Sequence, residues 1–148
     1  MKIQDARGWQ TMSSGVEHTL AIGREVGRRL RAGDLVALIG ELGAGKTQLV
    51  RGMAEGLGIV PAAVASPTFV MVHEYPTKPG EPVFVHIDAY RLKSIQDLES
   101  IGWDISGESE LRLGAVVVIE WADRLEGAWG SDVLGIMLEH AGADQRRI

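Results

Sequence analysis

Hydrophobic residues follow two patterns that alternate along the chain. The runs Leu35–Ile39 and Ala115–Ile119 are almost wholly apolar, which is typical of strands buried on both faces of a sheet. After the first run, apolar residues recur at the spacing of one helix face, namely Leu49, Val50, Met53 and Leu57. Strands that alternate with helices predict an α/β domain, with helices flanking a mixed, mostly parallel sheet.

The N-terminal part predicts a strand followed by a helix. "GWQTM" (Gly8–Met12) is expected to be the strand. Ser13 or Ser14 can cap the helix, which should run to about Arg31 and stop before Gly33. Its inward positions are Leu20, Val26 and Leu30. The helix that starts at Lys46 is expected to end near Gly56 or Gly58.

The second half of the chain predicts an antiparallel hairpin and two further strands. Phe69–Tyr75 and Val83–Tyr90 flank the loop Pro76–Pro82, so an antiparallel pair should join the parallel sheet. Ala115–Glu120 is the next strand, and Asp132–His140 is the last. Between these strands a short acidic helix is expected, with Ile95, Leu98 and Ile101 at helical spacing.

Length and composition narrow the class of protein. A chain of 148 residues without repeats or linkers predicts one domain over residues 1–148. The absence of cysteine excludes disulfides, cysteine-ligated zinc and thiol catalysis. The N-terminus has no apolar signal core, and Ala115–Ile119 is too short to span a bilayer. A soluble, cytoplasmic protein without a membrane partner is therefore expected.

The net charge of −5 argues against strong direct binding of nucleic acid. That kind of binding depends on clustered lysine and arginine, which release counterions from the phosphates. The basic cluster Arg24–Arg31 is predicted to be a solvated helix face, with a binding patch as the alternative.

The sequence "GELGAGKT" (Gly40–Thr47) fits the P-loop pattern, in which backbone N–H groups surround phosphate oxygens. Gly43 and Gly45 allow the backbone to approach an anion, Lys46 supplies a mobile positive charge, and Thr47 can ligate Mg²⁺. A chance match is the alternative in a chain with 19 glycines. The apolar run before the motif and the helical spacing after it favour a nucleotide site.

A P-loop needs carboxylates at neighbouring strand ends to hold Mg²⁺ and water. Asp88 ends "VFVHID" and Glu120 ends "AVVVIE". The alternative for Asp88 is a solvated strand-end acid that pairs with Arg91. Glu120 follows five apolar residues, and because a buried carboxylate needs a partner, a metal or a lysine is expected beside it.

Three further features are weaker. "SPTF" (Ser66–Phe69) can present a hydroxyl to the γ-phosphate or simply begin a strand. His73 and His86 have no metal-ligand spacing and are expected to be structural or exposed. Trp121 can stack on a base, cover the site or pack in the core.

Taken together, "GELGAGKT", "SPTF", "HIDAYRL" and "IEWADR" resemble, in order and spacing, the TsaE (YjeE) family. Members of this family are small bacterial P-loop ATPases that act with TsaD and TsaB in making threonylcarbamoyladenosine next to the tRNA anticodon. The resemblance covers almost the whole chain. It implies an Mg²⁺-dependent ATPase that hydrolyses ATP to ADP, with TsaD and TsaB as partners and tRNA contacted only through them.

The resemblance also implies roles for individual residues. Lys46, Asp88 and Glu120 would be catalytic, with Asp88 as the Walker-B-like acid. Thr47, Asp88 and Glu120 would hold Mg²⁺, and Thr68 would be the switch hydroxyl. The nucleotide would be bound by Glu41, Leu42, Gly43, Ala44, Gly45, Lys46, Thr47, Gln48 and Trp121, with Thr11 in the segment Thr11–Glu17, which would approach the adenine.

Two other functions remain open at this point. A small-molecule kinase usually needs an arginine-rich lid, and Arg91, Arg112 and Arg124 form no such cluster. A non-enzymatic nucleotide switch is favoured by the Asp-x-x-Gly matches "DISG" and "DVLG", but no Asn-Lys-x-Asp sequence is present to read guanine.

Overall fold

The computed structural model describes residues 8–60, 64, 72–105, 109–125 and 132–148. Within these ranges, seven strands form one sheet: β1 (Met12–Ser13), β2 (Leu35–Gly40), β3 (Val72–Tyr75), β4 (Val83–Asp88), β5 (Ala115–Glu120), β6 (Leu134–His140) and β7 (Arg146–Arg147). The helices are α1 (Val16–Gly27), α2 (Lys46–Gly56), α3 (Ile95–Ser100), α4 (Glu110–Gly114) and a 3₁₀ turn over Ala122–Leu125. None of the helices in the described ranges has the length and hydropathy needed to cross a membrane.

The sheet is mixed, with a parallel centre. The strand order is β1-β7-β6-β2-β5-β4-β3. β2 pairs in parallel with β5 and β6, and β5 pairs in parallel with β4. β3 adds to β4 in antiparallel orientation, and β7 pairs antiparallel with both β6 and β1. The predicted α/β class, the mostly parallel sheet and the antiparallel hairpin are confirmed.

Each face of the sheet carries its own hydrophobic layer. Alternate residues of the central strands pack against α1 and α2 on one face, where Leu38, Val118 and Phe84 meet Leu49 and Met53. The other residues of the same strands pack on the opposite face against α3 and the segments around it. Strands covered on both faces must be apolar at nearly every position, which explains the continuous runs in the sequence.

Glycines bring α1 and α2 into backbone contact. A Cβ atom on Gly23 would lie 2.3 Å from the carbonyl oxygen of Leu49, and one on Gly52 would lie 2.3 Å from that of Leu20. Gly27 and Gly56 extend the same contact. α2 therefore packs closely against α1.

The N-terminal predictions need correction. The first strand is Met12–Ser13 and not Gly8–Met12, because the backbone pairing that defines it is with the C-terminal strand β7. Helix α1 starts one residue after Gly15, which occupies the N-cap position without a side-chain cap, and ends at Gly27. The chain then tightens into a turn in which Leu30 N–H donates to Gly27 O.

The other predicted elements are confirmed with small changes in their ends. α2 ends at Gly56 as expected, and β5 matches the predicted strand. β4 stops at Asp88 and β6 begins at Leu134. β6 is not the last strand as predicted, because β7 follows it and pairs with it. In the hairpin, Val72–Tyr75 is a strand, while Phe69–Met71 lie outside the described residues. Ile101 is exposed because α3 ends before it.

Candidate functional site

The candidate site lies where three parallel strands end at the same edge of the sheet. β2 ends at Gly40, β4 at Asp88 and β5 at Glu120, and Asp88 is paired in register with Glu120. This edge is the usual ligand crevice of α/β folds. Gly40 has no room for a side chain, since a Cβ atom there would lie 2.6 Å from Leu138 O.

The loop after β2 turns the chain directly into α2. Gly45 is the N-cap residue and has a φ of 101°, a left-handed conformation that favours glycine. No side chain caps this helix. Its first backbone N–H groups, together with the helix dipole, form a site suited to an anion.

Lys46 is buried and contacts the loop that precedes it. Its Nζ donates to the carbonyl oxygens of Gly40 at 2.6 Å and Glu41 at 2.9 Å. The same Nζ lies 3.8 Å from the centroid of the Trp121 ring, within cation–π range. Burial lowers the pKa of Lys46, and the nearby carboxylates of Glu120 and Asp88 partly oppose this effect.

Trp121 covers the lysine from the end of β5. Its φ of 57° makes it the one described non-glycine residue with positive φ, a strained conformation that is often found at functional sites. The Trp121 ring also contacts the ring of Tyr90, with centroids 4.9 Å apart. Trp121 therefore lies on the site and packs on hydrophobic neighbours at once, so two of the predicted roles coexist.

Glu120 is buried and accepts two hydrogen bonds on one oxygen. Thr47 Oγ1 lies 2.9 Å from Glu120 Oε1, and His86 Nε2 lies 3.1 Å from the same oxygen. The expected partner of this carboxylate was a metal or a lysine. The structure places a threonine hydroxyl and a histidine beside it. Lys46 is close enough to interact electrostatically, and the metal stays a prediction.

Asp88 is buried, with 9% of its surface exposed, so its interpretation as a solvated strand-end acid is wrong. Its Oδ1 accepts a hydrogen bond from the backbone N–H of Tyr90 at 2.9 Å. Burial raises the pKa of Asp88, and the neighbouring charge of Glu120 adds to that rise. A carboxylate kept poorly solvated in this way is suited to holding water or a cation.

These groups surround a cavity of about 850 Å³, a size suited to a nucleotide. The predicted residues that line it are Leu42, Gly43, Gly45, Lys46, Thr47, Gln48, Asp88, Glu120 and Trp121. The oxygen donors Thr47, Asp88 and Glu120 are of the type that Mg²⁺ prefers. In the described part of the chain, no group of three or more His, Cys, Asp or Glu residues could hold a metal, so a cation here would need ligands from phosphate and water.

Three predicted residues do not line this cavity, and a fourth lies outside the described residues. Glu41 is exposed beside the cavity, and Ala44 is buried beneath the loop. The backbone of Thr11 pairs with that of Ile148, whereas Ser14, Gly15 and Val16, in the same predicted segment, line the cavity together with Thr19. Thr68, like Ser66, lies outside the described residues, so the switch role stays a prediction.

Sequence reasoning missed three residues of the site. His86 was expected to be structural or exposed, although its position two residues before Asp88 places both side chains on one face of β4. Asp144 and Arg146 line the cavity from the C-terminal hairpin, and Arg146 Nη2 donates to Gly43 O at 3.3 Å. Nothing in the local pattern of these two residues indicates this contact, which depends on the return of the chain through β7.

Known proteins match this chain over most of its length. Residues 13–148 match the family described as "Threonylcarbamoyl adenosine biosynthesis protein TsaE". The chain is 43% identical over 124 residues to the tRNA threonylcarbamoyladenosine biosynthesis protein TsaE of Streptomyces coelicolor, covering 83% of this chain and 80% of that protein. It is 36% identical over 140 residues to the protein of the same name from Bacillus subtilis, covering 95% and 82%.

The fold has a counterpart among solved structures. The crystal structure of Bacillus subtilis YdiB superposes with a TM-score of 0.71 at 29% identity, covering 94% of this chain and 81% of that one. The family match, the close relatives and the shared fold agree with the resemblance seen in the motifs. The chain belongs to the TsaE family.

Proposed function

We propose that this protein is an Mg²⁺-dependent ATPase that acts with TsaD and TsaB in the biosynthesis of threonylcarbamoyladenosine in tRNA. Membership of the TsaE family supports the role in this pathway. The observation that carries the ATPase assignment is the contact of Thr47 with Glu120 at the mouth of α2, beside Lys46. Because the proposed role is in tRNA modification, we also propose that the protein acts in the cytoplasm.

Phosphate binding is assigned to the loop and to the start of α2. The backbone N–H groups there are suited to anionic oxygens. Lys46 Nζ now donates to two loop carbonyls, and it would transfer its hydrogen bonds to the terminal phosphates of ATP. Exchange of carbonyl partners for anionic ones strengthens the hydrogen bonds of this lysine. Lys46 thus stabilises charge that develops during hydrolysis.

Magnesium binding is assigned to Thr47 and Glu120, with Asp88 beside them. The Thr47 hydroxyl donates a hydrogen bond to Glu120, so the lone pairs of the Thr47 oxygen are available to a cation. When bound, Mg²⁺ would neutralise negative charge on the phosphate oxygens. Two carboxylates and a hydroxyl match the few protein ligands that this ion usually takes alongside phosphate and water.

Asp88 is assigned to the orientation of the attacking water. It lies next to Glu120 across β4 and β5, and its backbone hydrogen bond with Tyr90 fixes the carboxylate.

The two arginines that line the cavity are poorly placed for catalysis, because Arg91 is exposed and Arg146 is engaged with backbone carbonyls. We therefore expect the isolated protein to hydrolyse ATP slowly and to hydrolyse it faster with its partners.

The test is steady-state ATP hydrolysis by the wild-type protein and Lys46→Ala, each alone and with TsaB and TsaD. The wild type should be slow alone and faster with both partners, whereas Lys46→Ala should lose about 100-fold or more in rate. Co-purification with TsaD and TsaB, with and without an ATP analogue, should show nucleotide-dependent association of the wild type only. Fast hydrolysis by the isolated wild type, or full activity of Lys46→Ala, would contradict the proposal.

A further inference from the structure

His86 is buried at the base of the site, and none of the roles assigned above involves it. Its side chain has no exposed surface. In the sheet His86 is paired with Val118 of β5. Glu120 lies two residues further along β5, on the same face of the sheet. From β3, His73 lies opposite it. A fully buried histidine that touches a buried carboxylate needs a physical explanation.

The hydrogen bonds define which ring nitrogen carries the proton. A carboxylate only accepts, so His86 Nε2 must donate to Glu120 Oε1. Thr47 donates to the same oxygen. Within the described ranges no donor reaches Glu120 Oε2, which leaves that oxygen for a cation. Two donors on Oε1 hold the carboxylate in one rotation.

The second ring nitrogen of His86, Nδ1, is in an unfavourable environment. His86 Nδ1 is buried and has no hydrogen-bond partner among the described residues. An unpaired buried acceptor is unfavourable, and an apolar ring of similar shape would avoid this loss. The hydrogen bond from Nε2 to Glu120 is the interaction that an apolar ring would lose.

We propose that His86 is a positioning residue for Mg²⁺: it holds Glu120 through Oε1 so that Oε2 and the Thr47 hydroxyl together face the cation. This inference rests on the proposed function, because it takes Glu120 and Thr47 as the magnesium ligands. Partners that orient metal ligands in this way typically contribute 10- to 100-fold to metal affinity. Phosphate binding by the loop and Lys46 does not depend on His86.

The test compares three substitutions that differ in donor position. Gln places an N–H at the position of Nε2, Asn places one near Nδ1 and out of reach of Glu120, and Phe keeps the ring without a donor. Binding of adenylyl imidodiphosphate is measured by titration calorimetry over a series of Mg²⁺ concentrations and in EDTA. His86→Asn and His86→Phe should require about tenfold more Mg²⁺ than the wild type for half of the Mg²⁺-dependent gain in affinity.

His86→Gln should stay within about threefold of the wild type, and all the proteins should bind the analogue alike in EDTA. A wild-type Mg²⁺ requirement in both His86→Asn and His86→Phe, or the same loss in His86→Gln as in His86→Asn, would overturn the positioning role and leave the proposed function intact. No effect of Mg²⁺ on the wild type would overturn both. Should the variants unfold, nitrogen-15 spectra of the wild-type histidines decide: a proton on Nε2 of His86 is expected, and one on Nδ1 alone refutes the inference.

Discussion

Asp88 illustrates how a single residue can be unfavourable for folding and useful in a site. Burial is the main cause of the raised pKa of Asp88, so the folded chain holds its ionised form less well than the unfolded chain does. The ionised carboxylate therefore lowers stability at neutral pH. As the pH falls through the raised pKa toward the ordinary value of 3.8, the folded protein takes up the proton first and this loss disappears.

Replacement of Asp88 by Asn should therefore stabilise the protein and inactivate it. We expect a rise in Tm of about 2–4 °C at pH 7 without nucleotide, because the buried charge is removed while an oxygen remains for the N–H of Tyr90. ATP hydrolysis in the presence of TsaD and TsaB should fall about 100-fold or more. Scanning calorimetry and a phosphate-release assay measure the two effects.

The exposed carboxylate of Asp123 provides the control. Asp123→Asn should leave both Tm and hydrolysis close to those of the wild type. The gain in Tm of Asp88→Asn over the wild type should shrink as the pH is lowered from 7 toward 4. A gain that persists at low pH would mean that loss of the charge is not its cause.

Among the structural elements, the pairing of α1 with α2 has the strictest steric requirement. Gly23→Ala and Gly52→Ala should each lower the free energy of unfolding by about 2–3 kcal/mol, because the new methyl group meets a backbone carbonyl of the facing helix at 2.3 Å. Relief of this clash would require α1 and α2 to move apart. Urea denaturation measures the loss.

Gly114→Ala is the matched control for this prediction. Gly114 ends the short helix α4, and its Cβ would meet no atom within 4 Å. The substitution should leave stability unchanged or raise it by up to about 1 kcal/mol. Equal losses from Gly114→Ala and Gly23→Ala would show that the helix contact is not the reason.

The sequence was informative wherever an element carried its own periodicity. The buried strands β2 and β5 and the helix α2 are recognisable from apolar spacing alone, and the turn chemistry of Pro76–Pro82 predicted the hairpin. β7 was missed because two consecutive arginines look like a polar tail and form a strand only through their partners in β6 and β1. The extent of α1 was overestimated because the arginine-rich turn after Gly27 also favours a helix.

In the candidate site, too, some residues could be predicted from the sequence and others could not. Lys46, Thr47, Asp88 and Glu120 were found because a motif or a strand end marks them, and the structure brings all four to one cavity. His86 was missed because its contact with Glu120 joins neighbouring strands, 34 residues apart in sequence. Such a pair becomes visible only when the strand order and register are known.

For the molecule as a whole, the charge predicts how it meets RNA. With a net charge of −5, the isolated protein should bind tRNA more weakly than about 10⁻⁴ M at 150 mM salt. Fluorescence anisotropy with a labelled tRNA measures this affinity. Addition of TsaD and TsaB should produce salt-sensitive binding. Micromolar affinity of the isolated protein would instead place an RNA surface on this chain.

The contacts of Lys46 have a consequence for the proposed binding of ATP. Its ammonium group already contacts two backbone carbonyls and an aromatic ring. On the proposed function, the phosphates of ATP would replace these contacts, so the measured affinity would be the difference between the two sets of contacts.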